Sequence, residues 1–132
     1  MRKIILDTNF LLIPFQFGVD IFSEFNRICH FNYKLFIFEQ SVNELKNIIE
    51  KQSGISKKAA QFALKLVKLK NIEIIKSDEK DVDSLILENL DRNLVVATQD
   101  IRLKKELLKK DASVAILRQK KYLQFIERKL YK

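Results

Sequence analysis

The amino-acid sequence predicts an α/β fold, a sandwich in which helices cover a central, mainly parallel sheet of about five strands. Short apolar and β-branched runs recur along the chain, stretches of helical spacing lie between them, and no long linker separates them. The strand runs are nearly continuous in apolar residues rather than alternating. That marks strands buried on both faces, as in a parallel sheet joined by right-handed crossovers.

Lys3 to Leu6 is the first strand run, and Asp7-Thr8-Asn9 follows it as a turn or helix-capping cluster. The segment from Phe10 to Phe38 holds eight of the ten phenylalanines, most of them expected in the core. Phe15 and Phe17 flank a Pro14/Gly18 turn region and are candidates to meet a partner subunit or cover a site. Leu35 to Phe38 is the second strand run, after which Ser41-Val42-Asn43-Glu44 reads as a capping box opening a helix. Gly54, within Lys51 to Lys57, reads as a helix-helix connection. Ser56 to Lys70 then places Ala60, Ala63, Leu64 and Val67 on one helical face. Ile72 to Ile75 is the third strand run. Asp78 precedes a helix over Glu79 to Asp91, whose apolar face is Val82, Leu85, Ile86 and Leu90. Leu94 to Ala97 and Val114 to Leu117 complete the strand set.

A chain of 132 residues with 47% hydrophobic content has room for one core, so one domain over residues 1–132 is expected. The longest largely apolar stretch, Phe10 to Phe22, is interrupted by Gln16 and Asp20 and falls short of the roughly 20 residues that cross a bilayer. No membrane partner is expected. Arg2 and Lys3 lead directly into the first strand without a long apolar signal region, which points to a cytoplasmic protein. Cys29 is the single cysteine, which rules out an internal disulfide and a thiolate metal cluster; its plainer reading is a small buried side chain. His30 is the single histidine, which rules out two-histidine cleavage of RNA and a multi-histidine zinc site. With Gly18 and Gly54 as the only glycines, no phosphate-cradling glycine loop exists. Hydrolytic chemistry would have to come from carboxylates.

The net charge of +8 is uneven. Residues 1–100 hold 14 basic and 14 acidic side chains, whereas residues 101–132 hold 11 and 3. A phosphate backbone suits such a basic end, because its neutralisation releases condensed counterions; a solvated basic surface is the plainer alternative.

In open parallel α/β sheets, ligands bind beyond the carboxyl ends of the strands. Asp7 follows the first strand and Asp100 lies just past Leu94 to Ala97, so both acids leave the sheet on the same edge. Glu44 belongs to the first turn of the helix after the second strand, and Asp81 and Asp83 to the helix after the third. Each has a local role open to it: Asp7 as a cap, Glu44 as the partner of Ser41, Asp81 as the partner of Asp78, and Asp100 as a first-turn acid. Their shared edge favours a different role. Crowded carboxylates repel one another, and hard cations offset that cost.

These residues resemble the PIN-domain nucleases over essentially the whole chain. Ile5-Leu6-Asp7-Thr8-Asn9-Phe10-Leu11-Leu12 is similar to that family's D-T-N-x-L start, Ser41-Val42-Asn43-Glu44-Leu45 to its second-acid helix, and Ala97-Thr98-Gln99-Asp100-Ile101-Arg102-Leu103 to its A-T-x-D-x-x-L signature. The segment Gln16 to Phe22 looks like archaeal stand-alone members, which in turn resemble the eukaryotic nuclease that trims small-subunit ribosomal RNA. At the third acidic position the chain departs from the pattern: Asp83 matches the first acid of a pair, and Ser84 replaces the second.

The resemblance implies a three-layer α/β/α sandwich and hydrolysis of RNA with Mg²⁺ or Mn²⁺. It implies Asp7 and Asp100 as metal ligands, Glu44 as a ligand or water-positioning base, and Asp83 as the ligand completing the site, with Asp81 or a water-mediated contact from Ser84 as alternatives. Asn9 and Thr98 would orient carboxylates and water. Arg102, Lys104, Lys105, Arg118, Lys120 and Lys121 are the candidates to hold the RNA backbone. A homodimer, a ribosome-assembly partner or an antitoxin protein would be the partners. Two other PIN readings remain, a toxin ribonuclease and an RNA-binding module weakened in catalysis. A response-regulator receiver also sets acids at strand ends, but it needs an adjacent acidic pair where this chain has Asp7-Thr8.

Overall fold

The computed structural model describes residues 1–127. Six strands form one sheet: β1 (Arg2–Leu6), β2 (Tyr33–Phe38), β3 (Glu73–Ile75), β4 (Leu94–Ala97), β5 (Ser113–Arg118) and β6 (Tyr122–Ile126). Their spatial order is β3-β2-β1-β4-β5-β6, parallel throughout except for the antiparallel β5-β6 pair. Helices α1 (Ile13–Phe17), α2 (Ile21–Ile28), α3 (Glu39–Lys51), α4 (Gly54–Leu69), α5 (Val82–Glu88) and α6 (Ile101–Lys109) flank it, and a short 3-10 turn covers Thr8–Leu12.

Strand periodicity divides the core. Ile4 and Leu6 of β1, Val95 and Ala97 of β4, and Ile37 of β2 face a layer containing Phe10, Phe25, Leu45 and Ala63. Their neighbours Ile5, Val96, Phe36 and Phe38 face the opposite layer, which contains Leu85, Ile86, Leu103 and Leu107. Side chains of α1 to α4 therefore pack on one face and those of α5 and α6 on the other. This is the expected three-layer sandwich. Right-handed crossovers on opposite faces carry the chain outwards from β1 in one direction and from β4 in the other. The carboxyl ends of β1 and β4 thus form the switch point of the sheet, the place where open α/β sheets leave a crevice.

Several local expectations change. The sheet has a sixth strand, entered through a turn in which Gln119 and Lys120 both take positive φ (52° and 56°) and the Lys121 N–H bonds to the Arg118 carbonyl at 2.9 Å. A turn with two consecutive positive-φ residues usually announces itself with Asn or Gly, and neither is present. β3 is an edge strand rather than one buried on both faces, with Ile74 about half exposed at 51%. The third helix begins at Glu39, two residues before the expected cap, and the fifth begins at Val82 rather than Glu79. The cap of α5 is Asp81, so Asp78 does not open that helix. Cys29 is half-buried, and burial pushes its thiol up to about 11. Gly18 ends α1 in the left-handed region (φ 65°), and Asp20 then caps α2 through the amides of Phe22 and Ser23. No helix among the described residues is long and apolar enough to cross a membrane.

Candidate active site

Asp7 leaves the end of β1 already buried, with 4% of its surface exposed. Its backbone N–H extends the sheet by bonding to the Ala97 carbonyl (2.9 Å), which fixes the carboxylate beside β4. Oδ1 accepts from the Thr8 N–H (2.8 Å) and Oδ2 from the Thr98 hydroxyl (2.7 Å). Thr98 Oγ1 also accepts from the Asp100 N–H (3.0 Å), so one buried hydroxyl ties the two acids together. The side chain of Asn9 makes no hydrogen bond to a carboxylate among the described residues. It accepts weakly from the Gln99 N–H (3.4 Å), while the Gln99 amide donates to the Asn9 carbonyl (2.8 Å), and together these clamp the two strand-end turns.

Glu44 is placed by a contact that sequence reasoning missed. Because α3 starts at Glu39, Ser41 lies inside the helix and forms no capping box with Glu44. Thr8 Oγ1 donates to Glu44 Oε1 (2.6 Å) and lies 2.8 Å from Ser41 Oγ. A hydroxyl has one proton, so Ser41 must donate to Thr8. Thr8 and Ser41 are thus the unanticipated members of the site, both buried. The available signal was a threonine after a strand-end acid and a small polar residue facing it from an otherwise apolar helix.

Asp100 and Asp81 both cap helices. Asp100 Oδ1 accepts from the Arg102 and Leu103 amides (2.9 and 3.3 Å), which leaves Oδ2 free of hydrogen bonds among the described residues. Capping and ligation are compatible for this residue. Asp81 is committed on both oxygens, accepting from the Ser84 hydroxyl (2.8 Å) and the Ser84 N–H (3.3 Å), and these bonds lower its pKa. Ser84 therefore serves the cap of α5. Asp83, in the first turn of the same helix, makes no side-chain hydrogen bond among the described residues. It lines a groove of about 540 Å³ with Asp81, Asp100, Arg102 and Lys105.

The electrostatics show which acids share a space. Burial pushes the Asp7 carboxyl up to about 6; the Thr98 bond opposes this, and the charges of Asp83 and Glu44 add to it. Asp83 is also raised, first by burial and then by Asp100, Asp81 and Glu44, with Arg102 opposing. The ion pairs among the described residues all lie elsewhere, on Arg2, Arg27, Lys34 and Lys80. Among the described residues no three acids, histidines or cysteines are gathered tightly enough to hold an ion as they stand. The donor set nonetheless suits a hard divalent cation, since it is all carboxylate, mutually repelling and, among the described residues, in no ion pair with a lysine or arginine.

The basic candidates divide between two grooves on either side of the α6 N-terminus. Arg102 and Lys105 line the acidic groove. Lys104, Arg118 and Lys120 line a second groove of about 420 Å³ that also contains Thr98. Lys121 is exposed in the hairpin turn and lines neither.

Comparison with known proteins agrees with this architecture. The family model described as "PIN like domain" matches residues 4–120. Ribonuclease VapC4 of Methanocaldococcus jannaschii is 29% identical over 126 residues, which span 94% of this chain and 96% of that protein. The solved structure of the PIN domain endonuclease Utp24 superimposes with a TM-score of 0.76 at 19% identity, covering 97% of this chain and 92% of that one.

Proposed function

We propose that this chain, which belongs to the PIN-like domain family, is a metal-dependent ribonuclease that hydrolyses RNA phosphodiesters. One observation carries the reading: at the switch point of the sheet, a single threonine hydroxyl links Asp7 to Asp100 while Asp83 and Glu44 raise the charge density around Asp7. A buried carboxylate without a cationic partner costs several kcal/mol to ionise in place, which is a reason to expect a cation there. Asp7, Asp83 and Asp100 would hold Mg²⁺ or Mn²⁺, with Glu44 as a further ligand or as the group that positions water. Bound there, the metal would supply a more acidic water and neutralise charge on the leaving oxygen.

The chain's own residues set the conditions for that step. Thr98 fixes the Asp7 carboxylate and, through the Asp100 N–H, the first turn of α6. Thr8 holds Glu44 through Oε1, and among the described residues Oε2 has no hydrogen bond and would accept a proton from water. Arg102, Lys105, Lys104, Arg118 and Lys120 supply the positive surface along which a phosphate backbone would run. Ser84 and Asp81 hold the start of α5, and Asp81 lines the same groove as Asp83 and Asp100, where it would support the ligands. The curated relative named above, similar over 94% of this chain, is a ribonuclease, which supports action on RNA.

The test is cleavage of single-stranded and structured RNA with Mn²⁺, comparing the wild type with Asp7→Asn and Asp100→Asn. Divalent-dependent cleavage by the wild type and its loss in both variants is the expected result. Cleavage that survives in both variants, or never occurs in the wild type, overturns the reading.

A further inference from the structure

We propose that the groove between α6 and β5 is a nucleobase subsite that takes an unpaired nucleotide flanking the phosphate to be cleaved. The inference rests on the ribonuclease reading and names the substrate class of that site. The groove has an apolar floor and a cationic rim: Phe17, Ile101 and Leu117 are set against Lys104, Arg118 and Lys120, and no acid lines it. A phosphate track alone has no use for the apolar part. Ile101 is the clearest sign, because it follows Asp100 directly and is 68% exposed, so it has no packing duty of its own. The ring of Phe17 is within reach of the same space, with the Lys120 ammonium 5.7 Å from its centroid.

Bases stack on aromatic faces and apolar side chains whatever their identity, while lysine and arginine hold the adjoining phosphates. The groove's volume of about 420 Å³ falls in the range of small-molecule sites. Polar edges for a base are also present, since the Gln99 amide nitrogen donates to the Asn9 carbonyl while its oxygen accepts no hydrogen bond among the described residues, and Gln119 also lines the groove. Thr98 connects the two spaces, lining this groove while donating to Asp7. A base seated here would put its neighbouring phosphate beside the acids. In an A-form duplex the bases stay stacked within the helix, so an unpaired strand or loop is the substrate that can fill the groove.

The experiment uses the full chain with divalent ions chelated and a short single-stranded RNA carrying a fluorescent adenine analogue whose emission falls on stacking. Binding should quench the emission. Phe17→Ala and Ile101→Ala should each weaken binding by on the order of tenfold and reduce the quench, whereas Phe17→Tyr should keep both. The same strand annealed to its complement should bind without responding to these substitutions. If Phe17→Ala and Ile101→Ala bind the single strand as the wild type does, the subsite is overturned, and so it is if Arg118→Glu alone weakens binding. A parallel cleavage assay with Mn²⁺ separates the two readings. Equal cleavage of single-stranded and duplex RNA sinks the subsite and leaves the ribonuclease, while quenching without any cleavage by the wild type sinks the ribonuclease and leaves the subsite.

Discussion

The acid cluster and the basic groove that meet at the start of α6 are built in opposite ways. On one side, Asp7 and Thr98 are buried and joined by a hydrogen bond across 91 positions of sequence, and Thr8 reaches Glu44 across 36. On the other, Lys104, Arg118 and Lys120 project from a helix and a hairpin, and Arg118 and Lys120 are exposed. Chemistry at a phosphodiester needs carboxylates held in fixed relation, and buried hydroxyl bonds provide that. Grip on a polyanion needs only charge at the surface, and long flexible side chains suffice. Substitutions among the acids and the hydroxyls that hold them should therefore act sharply and locally, and those of the basic side chains in the second groove should act in small, additive, salt-dependent steps.

Asp7→Asn tests the contrast at its extreme. Cleavage should be abolished, yet the metal-free protein should become more stable at pH 7, because a buried charge is removed; thermal unfolding with chelator present measures this. Thr98→Val comes next, since it removes the hydroxyl that serves both Asp7 and Asp100. A loss of roughly 10- to 100-fold in metal affinity or activity is expected, the size typical of residues that orient ligands. Metal titration of the purified variant checks it, and an unchanged affinity would mean the link is only structural.

The pH dependence has a definite sign. Asp7 has its folded pKa pushed up from 3.8 to about 6, so the folded state binds more protons than the unfolded state between those values. Stability of the metal-free protein should fall as pH rises through that window, by up to about 3 kcal/mol, and level off above it. Below the unfolded value both states are protonated and the effect vanishes. Denaturant unfolding at several pH values, with Asp7→Asn as the control that loses the slope, provides the measurement.

Charge reversal in the second groove is gentler. Arg118→Glu and Lys104→Glu should each lower RNA affinity severalfold and reduce the salt dependence by about one counterion. Binding measured across a salt series decides this, and an unaltered slope would remove these residues from the grip. Ser84→Ala should be the mildest change. It costs less than about 1 kcal/mol through the weakened α5 cap, and it should affect cleavage far less than Thr98→Val.

Asp7, Asp100, Glu44 and Asp83 were picked out as candidates in the sequence because each follows a recognisable strand or opens a recognisable helix. Their environments were not. Glu44 looked like the partner of Ser41 in a capping box, whereas α3 starts early and frees both side chains to meet Thr8. Asp83 was preferred to Asp81 in the sequence for its match to the family's acidic pair, and the bonds from Ser84 add that Asp81 caps α5. The strand β6 escaped because its turn uses Gln119 and Lys120 at positive φ, where side-chain type gives no warning.

By itself the sequence determined the layered α/β fold, since apolar runs and helical spacing are local patterns that each segment carries within itself. It also determined that the acids sit at strand ends and that the basic excess lies after Ile101. Only the tertiary structure decided that β1 and β4 are neighbours at the switch point, and with it which hydroxyls reach which carboxylates. Those contacts join residues far apart in the chain, and no local pattern encodes a distance that exists only after the sheet has formed.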